Sequence, residues 1–345
     1  MNKRATIGDV AKLAGVSTAT VSRVIHTPDL VTDSTRKAVY SAISQTNYTL
    51  NLAARNLRQQ RSNAIVVLVP DIGNTFFSEI LAGIERVASS AGQTILIGHT
   101  AHDHMREEKY LNNLLNSQAD GALLLNGHLP ASVATKIGET PGRRLPIVSV
   151  SEALADQIVP HVGIDNDRAA ALVTQYLLDH GHRRIVHLRG PVSNILTCQR
   201  AKGFARTMKA AGLQVSPDMF LDGDFTIESG IAAASVLIAA GSMPDAVLCA
   251  NDEMAIGLMS RLAEHGIHVP QDVSVVGFDD IAFSRTAQPA LTTIHQPRAE
   301  IGERATRILL ELIAGDNDAS NMITTLPVEL VERASVALNR GFTAT

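Results

Sequence analysis

Three groups of residues have side chains and spacings that could do chemistry. Near the N-terminus Thr18, Ala19, Thr20, Ser22 and Arg23 place small polar groups and a guanidinium within six residues. A guanidinium can contact guanine bidentately, and small neighbours allow close approach to base edges. Ser22 and His26 suit phosphate oxygens instead. His99, His102 and His104 offer three imidazoles in one short polar stretch. Their spacing matches neither His-Glu-x-x-His nor a Cys/His finger, so no metal is expected. The acids Asp252-Glu253 and Asp279-Asp280 are sequence neighbours, and adjacency alone does not arrange an acid and a base around a substrate. Neither a phosphate loop nor a Gly-x-Ser-x-Gly nucleophile elbow occurs. The expectation is no enzyme and no cofactor.

The first group needs helices to position it. Ile7, Val10, Ala11 and Ala14 recur at one-face spacing, which predicts a helix over 6–14. Gly15 then suits a left-handed cap and Ser17 an N-cap for a second helix over 18–26. In that helix Val21, Val24 and Ile25 share one face, while Thr18, Ala19, Ser22 and Arg23 lie on the other. A third helix is expected from about Thr32 to Gln45, with Ala38, Val39, Ala42 and Ile43 inward. Helix, glycine turn, helix is the helix-turn-helix layout, whose second helix enters the major groove. A small three-helix bundle making protein contacts has the same periodicity.

Charge favours nucleic acid. The 345-residue chain has net charge −4, but residues 1–61 hold nine Lys/Arg against three acids, leaving −10 on the remainder. A basic head on an acidic body directs one end toward a polyanion. Two cysteines, Cys198 and Cys249, make no disulfide framework, no run is long and apolar enough for a membrane span, and the basic start lacks an apolar leader. A soluble cytoplasmic protein is expected. A transport binding protein would need an export signal, and an enzyme would leave the basic head without a role.

Beyond residue 62 short apolar runs alternate with helical stretches. Ala64–Val69, Thr94–Gly98, Asp120–Leu125 and Pro146–Ser151 form one series; His161–Ile164, Arg184–Arg189, Ala246–Ala250 and Val273–Val276 form a second. Buried strands alternating with helices predict doubly wound parallel sheets, here in two similar subdomains with a cleft at the carboxyl ends of their strands.

The segment Ile7-Gly8-Asp9-Val10-Ala11-Lys12-Leu13-Ala14-Gly15-Val16-Ser17-Thr18-Ala19-Thr20-Val21-Ser22-Arg23-Val24-Ile25 closely resembles the opening of the lactose-repressor (LacI/GalR) family. The likeness continues through Tyr48, Asn51 and Ala53-Ala54-Arg55-Asn56-Leu57, and through Val69-Pro70-Asp71, Asp165-Asn166, Gly190-Pro191, Gly223-Asp224-Phe225, Asn251-Asp252, Gly277-Phe278-Asp279 and Thr292–Pro297. Val69–Ile72, Phe76–Ile80 and His128-Leu129-Pro130 resemble the cytidine-repressor branch in particular.

The resemblance implies an all-α helix-turn-helix head (1–47) and a hinge helix and linker (48–61). It also implies an α/β periplasmic-binding-protein-like core (62–345) of two doubly wound parallel-sheet subdomains. Their expected bounds are about 62–162 with 292–320, and about 163–291 with 321–345. Implied DNA contacts are Thr6, Ser17, Thr18, Ala19, Thr20, Ser22, Arg23, Asn51, Ala54 and Leu57, with Leu57 wedged into the minor groove. Leu50 stands where the family usually has Pro, which loosens φ at the entrance to the hinge. Implied effector contacts are Asp71, Phe77, Asp165, Asn194, Leu196, Arg200, Phe225, Asn251, Asp279 and Gln296. Carboxylate, amide and guanidinium groups can bind vicinal hydroxyls, and Phe77 and Phe225 can stack on a flat face. Asn194, where purine repressors carry Arg, weakens a purine reading.

The expected partners are double-stranded operator DNA, a nucleoside or sugar effector, and a second copy of the chain, with no membrane. A dimer is favoured over a tetramer because Ala334–Thr345 lacks leucine heptads.

Overall fold

The computed structural model describes residues 5–48, 61–116, 118–139, 145–154, 156, 158–316 and 322–339. The chain forms two compact units, Met1–Ser62 and Asn63–Thr345.

In the first unit, α1 (Ile7–Ala14) starts at Thr6, whose hydroxyl accepts from Asp9 N while Thr6 N donates to the Asp9 carboxylate at 2.8 Å. This reciprocal box satisfies donors that a helix start leaves unpaired. Gly15 ends the helix at φ 66°, a left-handed conformation that costs glycine little. Ser17 then caps α2 (Thr18–His26), accepting from Thr20 N at 3.1 Å. A 3₁₀ turn over Pro28–Leu30 leads to α3 (Asp33–Thr46). Val10, Ala11, Val21, Val24, Val39 and Ala42 make the core. Ala38, expected inward, is exposed: it lies a helical step away from Val39, and α3 buries only a narrow stripe. The expected hinge residues Leu50, Asn51, Ala53, Ala54, Arg55, Asn56 and Leu57 lie outside the described residues.

The second unit contains two parallel sheets. The first has the order β11-β5-β4-β3-β1-β2, built from β1 (Ala64–Val69), β2 (Thr94–His99), β3 (Gly121–Leu124), β4 (Ile147–Val150), β5 (His161–Ile164) and β11 (Ile323–Leu326). Around it pack α4 (Phe76–Ser90), α5 (His104–Leu115), α6 (Ala131–Glu139) and α11 (Arg298–Ala314). The second sheet has the order β7-β6-β8-β9, from β6 (Ile185–Arg189), β7 (Phe220–Asp222), β8 (Ala246–Cys249) and β9 (Ser274–Val276). Its helices are α7 (Asn166–Asp179), α8 (Ile195–Ala210), α9 (Ile227–Ala239) and α10 (Asp252–Glu264). A two-stranded antiparallel ribbon joins β10 (Thr293–His295) to β12 (Glu329–Val331).

Two expectations change. His161–Ile164 does not open the second series: it pairs with β4 and with β11, so both it and 323–326 belong to the first sheet. The chain therefore crosses between the lobes three times, after β5, after β10 and after β11. β2, expected to be buried, is an edge strand with Leu96 and Ile97 exposed.

Candidate ligand cleft and nucleic-acid interface

Arg23, Thr18 and Ala19 are exposed on α2, opposite the buried Val21 and Val24; Thr20 and Ser22 are half-buried. Ser17 and Thr20 bond each other at 2.9 Å, and the Thr6 hydroxyl donates to Asp9 at 2.7 Å. These three side chains therefore fix helix starts, while Thr18, Ala19 and Arg23 present the outward surface.

In the core, a cleft of about 50 Å³ is lined by Asn74, Phe76, Phe77, Glu152, Leu196, Arg200, Phe225, Asn251 and Asp279. The first four come from loops and a helix start beyond β1 and β4; the other five follow β6, β7, β8 and β9. Carboxyl ends of parallel strands from both lobes thus converge, as such folds require of a binding site.

Arg200 is the buried cation of this group. Its Nε donates to Asn166 Oδ1 at 2.9 Å, Nη1 donates to Ala250 O, and the guanidinium lies 3.7 Å from the centre of the Phe278 ring. Carboxylates of Asp279, Glu152 and Asp252 surround it. Burial pushes the Asp279 carboxyl above the ordinary range, against the pull of Arg200 and of the hydrogen bond from Gln296 Nε2 at 2.7 Å. Burial also raises Glu152, to about 7, with Asn194 and Arg200 acting in the opposite direction. Asn251 caps α10 by accepting from Met254 N and donates to Phe225 O at 2.8 Å. Phe225 and Asp279 hold φ of 70° and 114°, conformations that side-chain-bearing residues adopt only where surrounding structure enforces them.

Asp252 is buried, accepting from Ser284 Oγ, Thr293 Oγ1 and Ile281 N at 2.6, 2.6 and 2.9 Å. It ties the loop after β9 to β10. Thr75 N and Oγ1 bond Glu253 Oε1 at 3.0 and 2.9 Å, joining the start of α4 in one lobe to the first turn of α10 in the other.

Of the residues proposed from sequence, Phe77, Leu196, Arg200, Phe225, Asn251 and Asp279 line the cleft. The other four do not. Asp71 is exposed and bonds Gly73 N; Asp165 caps α7; Asn194 caps α8 and bonds Glu152; Gln296 stands behind Asp279. Asn74, Phe76 and Glu152 were not foreseen, although their places just beyond β1 and β4 are where doubly wound folds bind ligands. His99, His102 and His104 do not converge: among the described residues His104 groups with Glu107 and His128.

The pattern of the bacterial regulatory proteins, lacI family, matches residues 6–51, and a periplasmic binding protein-like domain matches 174–336. The HTH-type transcriptional repressor CytR of Escherichia coli (strain K12) is 38% identical over 331 residues, covering 96% of each chain. The repressor PurR of Vibrio cholerae serotype O1 (strain M66-2) is 36% identical over 336 residues, covering 96% of this chain and 98% of its own. Among solved structures, the lac repressor dimer bound to operator and the anti-inducer ONPF is similar at TM-score 0.85 and 29% identity, covering 97% of this chain and 100% of its own. A complex of the regulator CelR with cellobiose aligns at TM-score 0.72 and 30% identity, covering 96% and 100%. Among the described residues no helix is long and apolar enough to cross a membrane.

Proposed function

The chain belongs to the lacI family of bacterial regulatory proteins and is a DNA-binding transcriptional repressor rather than an enzyme; on that premise we propose that it binds a palindromic operator as a homodimer whose affinity responds to a small polyhydroxylated effector. The observation that carries the effector half is the convergence of Phe77, Phe225, Arg200, Asn251 and Asp279 on one cleft. Two aromatic side chains offer faces for a flat ring, and the amide, carboxylate and guanidinium offer hydrogen bonds to ribose-like hydroxyls. That combination favours a nucleoside. A sugar is the second reading, favoured by the similarity to a regulator solved with cellobiose.

At about 50 Å³ the cleft holds only a few waters, well below the few hundred Å³ of ordinary ligand pockets. Effector binding therefore requires the lobes to part. A ligand that prefers one lobe angle shifts the population toward it, and the head's DNA affinity follows through the hinge, in whichever direction that preference sets. The dimer reading rests on the exposed Leu96 and Ile97 of edge strand β2, apolar surface that a second copy can cover. One helix-turn-helix reads few base pairs, so two heads imply two half-sites.

On the DNA side, Arg23 is assigned as a base reader and Thr18 and Ala19 as the surface that permits close approach. Operator selection with the wild-type chain and Arg23→Ala tests this. We expect weaker binding and relaxed preference at one position, by about 1–3 kcal/mol. Unchanged specificity would refute Arg23's role. On the effector side, thermal-shift titrations with nucleosides and with sugars should raise the melting temperature for nucleosides, and Asp279→Ala should abolish the shift while DNA binding persists. A shift with sugars alone replaces the nucleoside by the second reading; an Asp279→Ala response at normal concentrations removes Asp279 from the site.

A further inference from the structure

The start of α5 and the loop after β3 meet in a side-chain group that neither DNA binding nor the cleft uses. Glu107 lies one turn into α5 and is only 2% exposed. Its Oε2 is 2.9 Å from His104 Nδ1 and 2.5 Å from His128 Nδ1. Its other oxygen accepts from Asn126 Nδ2 at 2.7 Å. The two imidazole rings stand 4.0 Å apart, centre to centre, and the three ligand atoms all lie within 4.8 Å of one another.

We propose that His104, Glu107 and His128 form a binding site for a divalent transition-metal ion of the zinc class. Two imidazole nitrogens and one carboxylate oxygen are a zinc donor set, and they leave a fourth position for water or another ligand. Magnesium and calcium favour all-oxygen sites, so a two-histidine set selects against them. The carboxylate is held in place before any ion arrives. Asn126 is buried, its Nδ2 grips Glu107 Oε1, and its own Oδ1 has no partner. An amide gripping the free oxygen of a ligating carboxylate fixes the orientation of the one that binds.

The present spacings between nitrogen and oxygen are hydrogen-bond lengths. Ligand atoms around a tetrahedral zinc stand about 3.3 Å apart, so an ion takes the place of the two protons that His104 Nδ1 and His128 Nδ1 direct at Oε2 and moves the rings outward by less than ~1 Å. A neutral ring that ligates through Nδ1 carries its proton on Nε2 instead, and a protonated ring releases one proton to solvent. The His104 and His128 side chains are 71% and 40% exposed, which gives the rings room and the ion a path. The site also borders the cleft. His128 follows Gly127, and a Cβ on Gly127 would come within 2.7 Å of Glu152 Oε2. An ion on His128 is thus anchored one residue from the backbone that packs against a cleft-lining carboxyl group.

The test uses the full chain, without a histidine tag and stripped with chelator, titrated calorimetrically with Zn²⁺ and with Mg²⁺. We expect one Zn²⁺ per chain, no heat with Mg²⁺, and a melting temperature raised by roughly 5 °C at a hundredfold excess over Kd. His104→Ala, and His128→Asn, which leaves an amide able to donate to buried Glu107, should each weaken Zn²⁺ binding more than about a hundredfold. A His99→Ala/His102→Ala double variant should bind like wild type. Absence of Zn²⁺ binding overturns the proposal, and so does binding that survives loss of both His104 and His128 or that requires His99 or His102.

Discussion

Glu152 shows how much one side chain's surroundings add to its identity. In an unfolded chain its carboxyl titrates near 4.5, and burial in the cleft raises it to about 7 although Asn194 and Arg200 pull it down. The folded state therefore holds a proton that the unfolded state has released. Stability from this group is complete below about 4.5 and is lost as pH rises through about 7. Glu152→Gln removes that dependence. Thermal unfolding of both proteins across this range should show the variant gaining on wild type by on the order of 2 kcal/mol toward pH 8, a figure reduced from the full shift for partial exposure. A constant difference at every pH would exclude the raised carboxyl. Sequence reasoning missed Glu152 because a single acid after a strand has no pattern around it. Asn194 and Asp165 entered through the family resemblance, and in the structure their side chains cap helices. Phe77, Arg200, Phe225, Asn251 and Asp279 were legible only through the resemblance, since five residues scattered over two hundred positions have no period to detect.

At the scale of elements, the head was the most legible part because its boundaries are chemical. Gly15 and Ser17 fix where α1 stops and α2 begins. Sheet membership was less legible. An apolar run such as His161–Ile164 indicates a buried strand but not which neighbour it pairs with, and its pairing with 323–326 is a long-range contact that local sequence does not encode. Helix crossings were not legible at all. α9 and α10 meet through two reciprocal glycines: a Cβ on Gly230 would lie 2.1 Å from Met254 O, and one on Gly257 would lie 2.1 Å from Ile227 O. Backbone carbonyls cannot yield as a side-chain tip can, so the helices would have to separate. Gly230→Ala should cost the core about 2–4 kcal/mol in urea unfolding. Gly92→Ala is the control: its Cβ meets nothing within 4 Å, and only the strain of φ 70° remains. Equal losses in the two variants would show that close helix approach contributes nothing.

At the scale of the molecule, basic head and acidic body were visible in charge alone, and the structure divides the chain near the same place, after Ser62. Within the core, three chain crossings connect the lobes, and Asp165 and Gln296 stand on two of them, beside the cleft rather than in it. Gln296, on one of these crossings, bonds the cleft-lining Asp279. The paired bonds from Thr75 to Glu253 span the same two lobes. Their consequence concerns time rather than affinity. In the proposed reading a bound effector escapes only during intervals when both bonds are broken together, and each bond holds the geometry in which the other re-forms. Both bonds meet at one Glu253 oxygen, so in the proposed reading the pair acts as a single latch that slows effector release.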